Sequence, residues 1–396
     1  MQPFAAARRG FVRFFCGFRP VMRLSEIAIA LNARLVGDGS IEIDRPVNPA
    51  DAEGARDLAL AMEPGMLELL KGGPARAALV REEKGLPEGA LAGYIVVGRS
   101  RYAMAQLLEL FPRPPHSEPG IHRTAVVDKS ATLAPDVRVG PFCYVGPRAA
   151  IGEGTILLAH VSVGADARIG RGGLLYPGAR IGERVIVGER AIIHHNASLG
   201  ADGFSFVTPE AGSVETAKAT GEVQATNEEV MRVNSVGGVV LGDDVEVGAC
   251  TCIDRGTVSA TRIGRNTKID DLVMIGHNCV IGENCMLCGQ VGIGGSTVVG
   301  DRVVLGGKAG LADHLHVGSD SIIFGGTMIA MNVRPRSLLG GWPPQHPKEA
   351  MTMLLNVRRV DRVLREFEAL KQRLSALDGG APTASAPASA GADGGE

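Results

Sequence analysis

The sequence predicts a mainly β protein: a left-handed parallel β-helix of hexapeptide repeats, preceded by a small α/β domain and followed by a C-terminal helix. An aliphatic residue recurs every six positions along two long stretches of the chain, 121–199 and 263–329. Glycine is abundant at 54 of 396 residues, and aromatic residues make up only 4% although 45% of the chain is hydrophobic. Such a chain fills its core with small aliphatic side chains and turns often, which is typical of a repeat solenoid.

The repeat itself runs in two long stretches. Fourteen consecutive hexads from Ile121 to Leu199 begin with an aliphatic residue, and twelve more follow from Ile263 to Ile329. The second residue is usually small, and we expect it to let the backbone turn a corner. Three hexads form one triangular coil, so residues 18 apart should stack at the ~4.8 Å spacing of neighbouring strands. The period breaks at 203–240, which predicts a loop extruded from one corner.

The flanking segments complete the domain plan. We expect a basic extension at 1–21 that precedes the true translation start, an α/β domain at 22–117, the β-helix at 118–341, a helical region at 342–378 and a disordered tail at 379–396. Within the α/β domain the patterns predict a helix over 24–35, a buried strand over 94–97 and an amphipathic helix over 101–111. Four prolines between 112 and 119 indicate a linker.

An apolar stripe marks the C-terminal helical region. Its members alternate in steps of three and four residues: Val360, Val363, Phe367, Leu370, Leu374 and Leu377. This is the a/d pattern of a coiled coil. Either the stripe packs on the β-helix of its own chain, or several copies of the chain associate through it.

Charge and hydropathy exclude several classes of protein. A formal net charge of -2 argues against a dedicated nucleic-acid binder. No run approaches the ~18 apolar residues that a membrane-spanning helix needs. The seven cysteines are odd in number and no secretory segment precedes them, so we expect reduced thiols and a cytoplasmic protein.

Two short motifs raise the question of a metal. Cys285 and Cys288 have the spacing of one half of a zinc site, but no second pair follows, so we expect no metal there. His194 and His195 are adjacent. They fit a metal shared between subunits, a corner of the prism or a substrate contact, and we favour a role without metal.

The polar interruptions of the repeat point to its chemistry. His277 is third in its hexad, Gly295 is 18 residues later, and His314 follows 19 residues beyond Gly295. A neutral imidazole can take a proton from an attacking amine, and an exposed backbone N–H can bind an oxyanion. A carboxylate such as Asp270 or Asp271 can fix the imidazole tautomer. We therefore predict acyl transfer to an amine; the alternative is that both histidines are surface groups without a role.

Three motifs carry a resemblance to a known family. They are Gly200-Ala201-Asp202-Gly203-Phe204, Ile253-Asp254-Arg255-Gly256-Thr257 and Gly276-His277-Asn278. With the order of the flanking domains, residues 22–375 resemble the UDP-3-O-acylglucosamine N-acyltransferases of lipid A biosynthesis. The resemblance implies a homotrimer with active sites between subunits. It also implies transfer of a 3-hydroxyacyl chain from acyl carrier protein to a sugar 2-amino group, without a cofactor beyond that thioester.

The resemblance also implies roles for individual residues. His277 matches the general base, His314 an assisting histidine and Gly295 the oxyanion site, which are the residues that the 18-residue period brings together. The matching motifs assign Asp202, Phe204 and Asn278 to substrate binding. Basic residues near the end of the prism would dock the acidic carrier protein: Arg334, Arg336, Arg358 and Arg359.

One stretch departs from the family. The family's N-terminal domain usually carries a uridine pocket of the form Phe-x-x-Asn-Pro-x-Tyr. This chain has Leu60, Glu63 and Met66 in place of the Phe, Asn and Tyr, so both stacking aromatics and the amide are absent. Uracil would then be held differently, or nucleotide specificity has changed. Two alternatives follow: a UDP-sugar O-acyltransferase, which the 253–257 motif disfavours, or a catalytically silent scaffold trimer, which the missing aromatics favour.

Overall fold

The computed structural model describes residues 21–223, 228–340 and 347–377. The chain divides into two compact units, 1–117 and 118–396. The tail expected at 379–396, and all of the extension expected at 1–21 except Val21, lie outside the described residues. Within the described ranges, no helix is long and apolar enough to cross a membrane.

The second unit is a parallel β-helix with three faces, as the repeat predicts. The first face consists of Arg138–Val139, Ile156–Leu157, Leu174–Leu175, Ile192–Ile193, Glu246–Val247, Lys268–Ile269, Met286–Leu287, Val304–Leu305, Ile322–Ile323 and Leu338–Leu339. The second consists of Val126–Val127, Tyr144–Val145, Ser162–Val163, Arg180–Ile181, Ser198–Asp202, Cys252–Arg255, Met274–Ile275, Gly292–Ile293, Gly310–Leu311 and Met328–Ile329. The third consists of Thr132–Leu133, Ala150–Ile151, Arg168–Ile169, Ile186–Val187, Val239–Leu241, Thr261–Ile263, Val280–Ile281, Val298–Val299 and His316–Val317.

The 18-residue stacking period is confirmed. Val145 pairs with Val163, and Val163 with Ile181, in parallel register along the second face. From Val139 onwards the aliphatic residue of the hexad points inward, and Val145 and Val163 are fully buried. Burying one such side chain stabilises the fold by roughly 1.5–3 kcal/mol, so the repeat builds one continuous core along the axis.

The corners turn differently from our expectation. The left-handed backbone conformation is at the fourth residue of a hexad, as at Arg148 (φ 57°), Asp166 (φ 59°) and Asn278 (φ 61°), and not at the small second residue. The second residue is small because the next coil comes too close for a side chain. A Cβ atom at Gly188 would lie 2.5 Å from the carbonyl carbon of Gly242.

A Gly188→Ala substitution should therefore destabilise the prism. The new methyl group meets backbone that stacking holds in place, and overpacking of this kind typically costs about 1–3 kcal/mol. Urea unfolding followed by circular dichroism would measure the change. The same substitution at Gly54, where a Cβ meets nothing within 4 Å, should change the free energy of unfolding little; equal losses at both sites would contradict this explanation.

The first unit is a five-stranded sheet with helices. Its strands lie in the order Arg34–Gly37, Gly93–Val96, Ala77–Val80, Asp57–Ala61 and Arg45–Val47, with the first pair antiparallel and the others parallel. Met22–Arg23 pairs separately with Glu42–Ile43. The helices are α1 (Leu24–Ala30), α2 (Pro64–Leu67) and α3 (Ser100–Leu110), with 3-10 turns at Pro49–Asp51 and Glu68–Leu70.

Two of the three elements predicted in this unit are confirmed. The strand at 94–97 and the helix at 101–111 match Gly93–Val96 and α3 within a residue or two. The helix predicted over 24–35 is wrong in its second half. It ends at Ala30, Asn32 takes a left-handed conformation (φ 48°), and Arg34–Gly37 joins the edge of the sheet.

Both breaks in the repeat fall at one corner of the prism, between the second and third faces. The first break is the loop, which carries a hairpin of Phe206–Val207 with Met231–Arg232 and the helix α4 (Ser213–Thr220). The second inserts four residues, because Ile253 pairs with Ile275, 22 positions later instead of 18. We call this edge the irregular corner: residues 200–237, then 254–260, then 277–278, 295–296 and 313–314 in successive coils.

The C-terminal helix α5 spans Pro347–Leu377. Its apolar stripe is exposed in the single chain, with exposed fractions from 46% to 60% for Val360, Val363, Phe367, Leu370 and Leu374. The side chains of Leu377 and Arg358 lie outside the described residues. Burial of the stripe against the prism of the same chain is therefore wrong for these five residues.

Candidate active site

The irregular corner brings His277 and Gly295 together, as the stacking period predicts. A Cβ atom on Gly295 would lie 2.9 Å from both Cε1 and Nε2 of His277, so the imidazole lies directly against the Gly295 backbone. His314 lies one coil further on, exposed, with its N–H donating to the Gly295 carbonyl at 2.9 Å. By the 18-residue period it stacks above Asn278, one position along from the His277 column.

A second glycine holds the imidazole from the other side. Gly203, at the root of the extruded loop, is so close that a Cβ there would lie 2.7 Å from Cβ and 2.8 Å from Cδ2 of His277. The half-buried ring thus lies between two positions that have no side chain. The two glycines fix where the ring can be and leave its edge accessible.

Hydrogen bonds determine the tautomer of His277. Its Nδ1 lies 2.9 Å from Oδ1 of Asn278. The same oxygen accepts from the Thr257 N–H and from the Thr257 hydroxyl, each at 3.0 Å. A backbone N–H can only donate, so this atom of Asn278 is the carbonyl oxygen, and Nδ1 must carry the hydrogen. Nε2 is then the ring nitrogen with a free lone pair, which a general base requires.

The backbone beside Nε2 offers a hydrogen-bond donor. The Gly295 carbonyl is occupied by His314, but within the described part of the chain no acceptor is paired with the Gly295 N–H. A free N–H next to a basic nitrogen can stabilise an oxyanion while the base removes a proton. These two groups provide the chemistry that the sequence indicated.

Asp270 does not contact His277 of its own chain, so within one chain it does not fix the tautomer of that imidazole. It follows the first face, at a different corner of the prism, and its carboxylate accepts from the backbone N–H groups of Asp271 and Gly289, both at 2.8 Å. Asp271 accepts from the Ala249 N–H in the same way. Asn278, which we had assigned to substrate binding, is the residue that orients the imidazole.

Asp254 is a site residue that the sequence reasoning missed. It is 5% exposed, on the second face directly below the His277 coil. Burial raises its pKa to about 6; the neighbouring His277 lowers the pKa and the carboxylate of Asp202 raises it. The signal that could have revealed Asp254 is the four-residue insertion. Asp254 is 22 residues before Gly276, so subtracting the four inserted residues leaves the 18-residue period and places Asp254 one coil below Gly276, at the same corner.

The raised pKa of Asp254 predicts an unusual pH dependence of stability. The folded chain holds this proton up to about pH 6, whereas the unfolded chain releases it near the ordinary value of 3.8. The stabilising contribution of the protonated acid is therefore complete below about pH 4 and is lost as the pH rises through 6. Asp254→Asn, which cannot ionise, should be roughly 1–2 kcal/mol more stable than the natural chain at pH 8.

Thermal or urea unfolding at pH 4 and pH 8 would measure this difference. The advantage of the Asn variant should shrink towards zero at pH 4. A variant that is less stable at both values would show instead that the carboxylate contributes a structural contact.

Asp202 and Phe204 lie at the base of the loop. The Asp202 carboxylate is 3.6 Å from guanidinium nitrogens of both Arg232 and Arg255, so it connects the hairpin to the second face. Phe204 is 85% exposed and lies against Phe206 with ring centroids 4.9 Å apart. Both stay predictions as substrate contacts.

The adjacent histidines lie on another part of the prism. Nε2 of His194 is 2.9 Å from a carboxylate oxygen of Glu246, and Tyr176 lies against the rings of both His194 and His195. Cys285 points into the core, where its thiol donates to the Gly300 carbonyl. Among the residues that the structure describes, no group of three or more His, Cys, Asp or Glu side chains is placed to hold a metal ion.

The stretch that replaces the aromatic uridine pocket is used partly for packing. Leu60 and Met66 are half-buried and contact the two apolar clusters of the first unit. Glu63 is exposed and immediately precedes α2. These side chains support the sheet and offer no ring on which a base could stack.

A hexapeptide prism with an oriented imidazole beside an unpaired backbone N–H at one corner is typical of a hexapeptide-repeat acyltransferase. The family described as "Bacterial transferase hexapeptide (six repeats)" matches residues 260–295. Over 272 residues the chain is 44% identical to the UDP-3-O-acylglucosamine N-acyltransferase of Paracoccus denitrificans, covering 68% of this chain and 74% of that protein. The chain belongs to the UDP-3-O-acylglucosamine N-acyltransferase family.

The chain is also similar to two further proteins. The enzyme of the same name from Pseudomonas paraeruginosa is 32% identical over 355 residues, which covers 89% of this chain and 95% of that one. Among solved structures, an Arabidopsis UDP-N-acetylglucosamine acyltransferase matches with 24% identity and a TM-score of 0.47, over 56% of this chain and 71% of that chain.

Proposed function

We propose that this acyltransferase moves a 3-hydroxyacyl chain from acyl carrier protein to the 2-amino group of a UDP-3-O-acylglucosamine, with His277 as general base. The names of the relatives supply the acceptor. The observation that carries the proposal is the fixed tautomer of His277, with Nε2 free beside the unpaired Gly295 N–H. Such a step belongs to lipid A biosynthesis.

The reaction needs no covalent enzyme intermediate. The amine nitrogen attacks the thioester carbon, and the carbonyl oxygen becomes an oxyanion that the Gly295 N–H stabilises. Nε2 of His277 takes a proton from the attacking nitrogen, while Asn278 keeps Nδ1–H oriented. The C–S bond then breaks, and the imidazolium returns the proton to the leaving thiolate. His314, which is exposed on the coil after Gly295, would assist the reaction at the thioester.

Turnover with purified protein tests the proposal. The natural chain is incubated with a 3-hydroxyacyl carrier protein and UDP-3-O-acylglucosamine, and mass spectrometry detects the N-acylated sugar. UDP-N-acetylglucosamine serves as a competing acceptor. Product from the amine alone supports the proposal; product from the hydroxyl acceptor alone would establish the O-acyltransferase, and no product from either would favour the silent scaffold.

The exposed stripe of α5 supports assembly into a homotrimer. Five apolar side chains at coiled-coil spacing are exposed, with no cover from the described part of their own chain. Association of several helices would bury them. Sedimentation equilibrium should give three times the chain mass, and a monomer at micromolar concentration would contradict the trimer.

Basic residues near the end of the prism support docking of the acidic carrier protein. Arg334, Arg336 and Arg359 are exposed, and α5 carries seven Lys and Arg against four Asp and Glu. Reversing two charges, Arg334→Glu with Arg336→Glu, should raise the KM for the acylated carrier protein roughly tenfold with little change in kcat, because rim charges mainly control association.

Two controls accompany this measurement. A small pantetheine thioester lacks the acidic protein, so its KM should not change in the double variant. Arg168→Glu reverses an exposed charge on the third face, towards the other end of the prism, and should leave both constants unaltered. Equal effects on carrier protein and pantetheine substrates would locate these arginines in the catalytic site instead.

A further inference from the structure

We propose that Asp254 is a further substrate-contacting residue, whose carboxylate binds the attacking amino group of the acceptor beside His277. The identity of that acceptor rests on the function proposed above. The position of Asp254, its burial and its lack of an internal partner come from the fold alone.

The placement of Asp254 depends on an irregularity in the second face. Ser198–Asp202 and Cys252–Arg255 pair beyond the usual two residues, after a register shift between Leu199 and Ala201. This extension sets Asp254 opposite Ala201, two residues before the Gly203 that lies against the His277 ring. Asp254 thus lies near His277 on the coil below, close enough for that residue to lower the pKa of its carboxyl.

The cationic side chain next to Asp254 in sequence, Arg255, binds other groups. Nε of Arg255 donates to the Gly200 carbonyl at 2.6 Å, and the guanidinium pairs with Asp202 instead of Asp254. Within the described residues no donor reaches the Asp254 carboxylate. A buried charge without a partner is costly, and such a group is usually neutralised or satisfied by a ligand.

Several buried polar groups of the prism have partners within the fold, although among the described residues the hydroxyls of Ser235 and Thr327 are buried without one. The hydroxyls of Thr251, Thr267 and Thr297 point inward, and each donates to a backbone carbonyl of the next coil at 2.7–2.9 Å. These side chains are satisfied within the fold. Asp254 is only 5% exposed, and within the described residues no donor is bonded to its carboxylate, so a bound ligand can supply the missing hydrogen bonds.

An amino group fits this position. Primary amines are largely protonated near neutral pH, and an ammonium group offers both the positive charge and the N–H donors that the carboxylate lacks. After the ammonium loses one proton to water, the neutral amine keeps an N–H hydrogen bond to Asp254 and points its lone pair at the thioester carbon. The proton released on C–N bond formation passes to Nε2 of His277. Asp254 therefore positions the nucleophile, and His277 remains the base.

Equilibrium binding tests this assignment without turnover. Titration calorimetry compares UDP-3-O-acylglucosamine with UDP-3-O-acylglucose, in which a hydroxyl replaces the amino group. We expect the natural chain to prefer the amine about tenfold at pH 7.5, and Asp254→Asn to lose that preference while its affinity for the hydroxyl compound stays the same. Asp166→Asn, an exposed carboxyl at the same corner that pairs with Arg148, should keep the preference.

The other outcomes overturn the proposal. If Asp254→Asn weakens both compounds equally, the residue shapes the site and does not recognise the amine. If the preference persists while the pH profile of kcat changes, Asp254 acts through His277. If the natural chain N-acylates the amino sugar yet shows no preference in binding, this inference fails alone; if it neither binds nor acylates the amino sugar, the proposed function fails as well.

Discussion

His277→Ala is expected to lower kcat for N-acylation by about 10²–10⁴-fold, the usual contribution of a general base. The variant removes the imidazole whose Nε2 lone pair is held free by a fixed tautomer. Steady-state assays with the acylated carrier protein measure the loss. Because the ring is half-buried and lies against two glycines, its removal should leave the unfolding temperature nearly unchanged.

A second histidine variant is the matched control, because it shows whether the loss of activity depends on the position of the histidine or only on the residue type. His316→Ala removes an exposed imidazole from the third face of the same prism and should leave kcat unaltered. The kcat of Asn278→Ala should lie between those of His277→Ala and His316→Ala, because this variant keeps the imidazole but no longer fixes its tautomer. Full activity of His277→Ala would rule out the mechanism, whatever the other variants do.

Gly295→Ala should reduce kcat by roughly 100-fold, the cost of moving a catalytic group by about 1 Å. Its methyl group would lie 2.9 Å from Cε1 and Nε2 of His277, so the imidazole must leave its position. The collision involves a half-exposed side chain and no backbone, and the fold should persist. A fall in kcat with little change in the KM for the acyl donor is the expected signature.

Gly203→Ala tests the same idea from the other side of the imidazole, where the new Cβ would lie 2.7 Å from Cβ of His277. Both variants should lose activity for the same reason. Gly98→Ala makes the same change where a Cβ meets nothing within 4 Å and should be fully active. Normal activity of Gly295→Ala and Gly203→Ala would show that the ring has more freedom than the packing indicates.

The contrast between Asp270 and Asp254 shows how far the repeat alone could lead. Asp270 is seven residues before His277, which is not a multiple of 18, so it lies at another corner despite its nearness in sequence. Asp254 is 23 residues before His277, and only the four-residue insertion brings it to the same corner. Sequence distance is misleading in a solenoid, because contact depends on the stacking period and its interruptions.

By itself, the sequence determined which residues of this protein point inward and which share a face, since a six-residue period leaves each strand one way to bury its aliphatic side chain. That was sufficient to bring His277 and Gly295 together. Only the tertiary structure decided which partner orients the imidazole and which carboxylate lies beneath it. The insertion brings Thr257 to Asn278, the partner of His277, and with the register shift it places Asp254 on the coil below. Such irregular backbone is positioned by packing against the loop and the adjacent coils, for which no period exists.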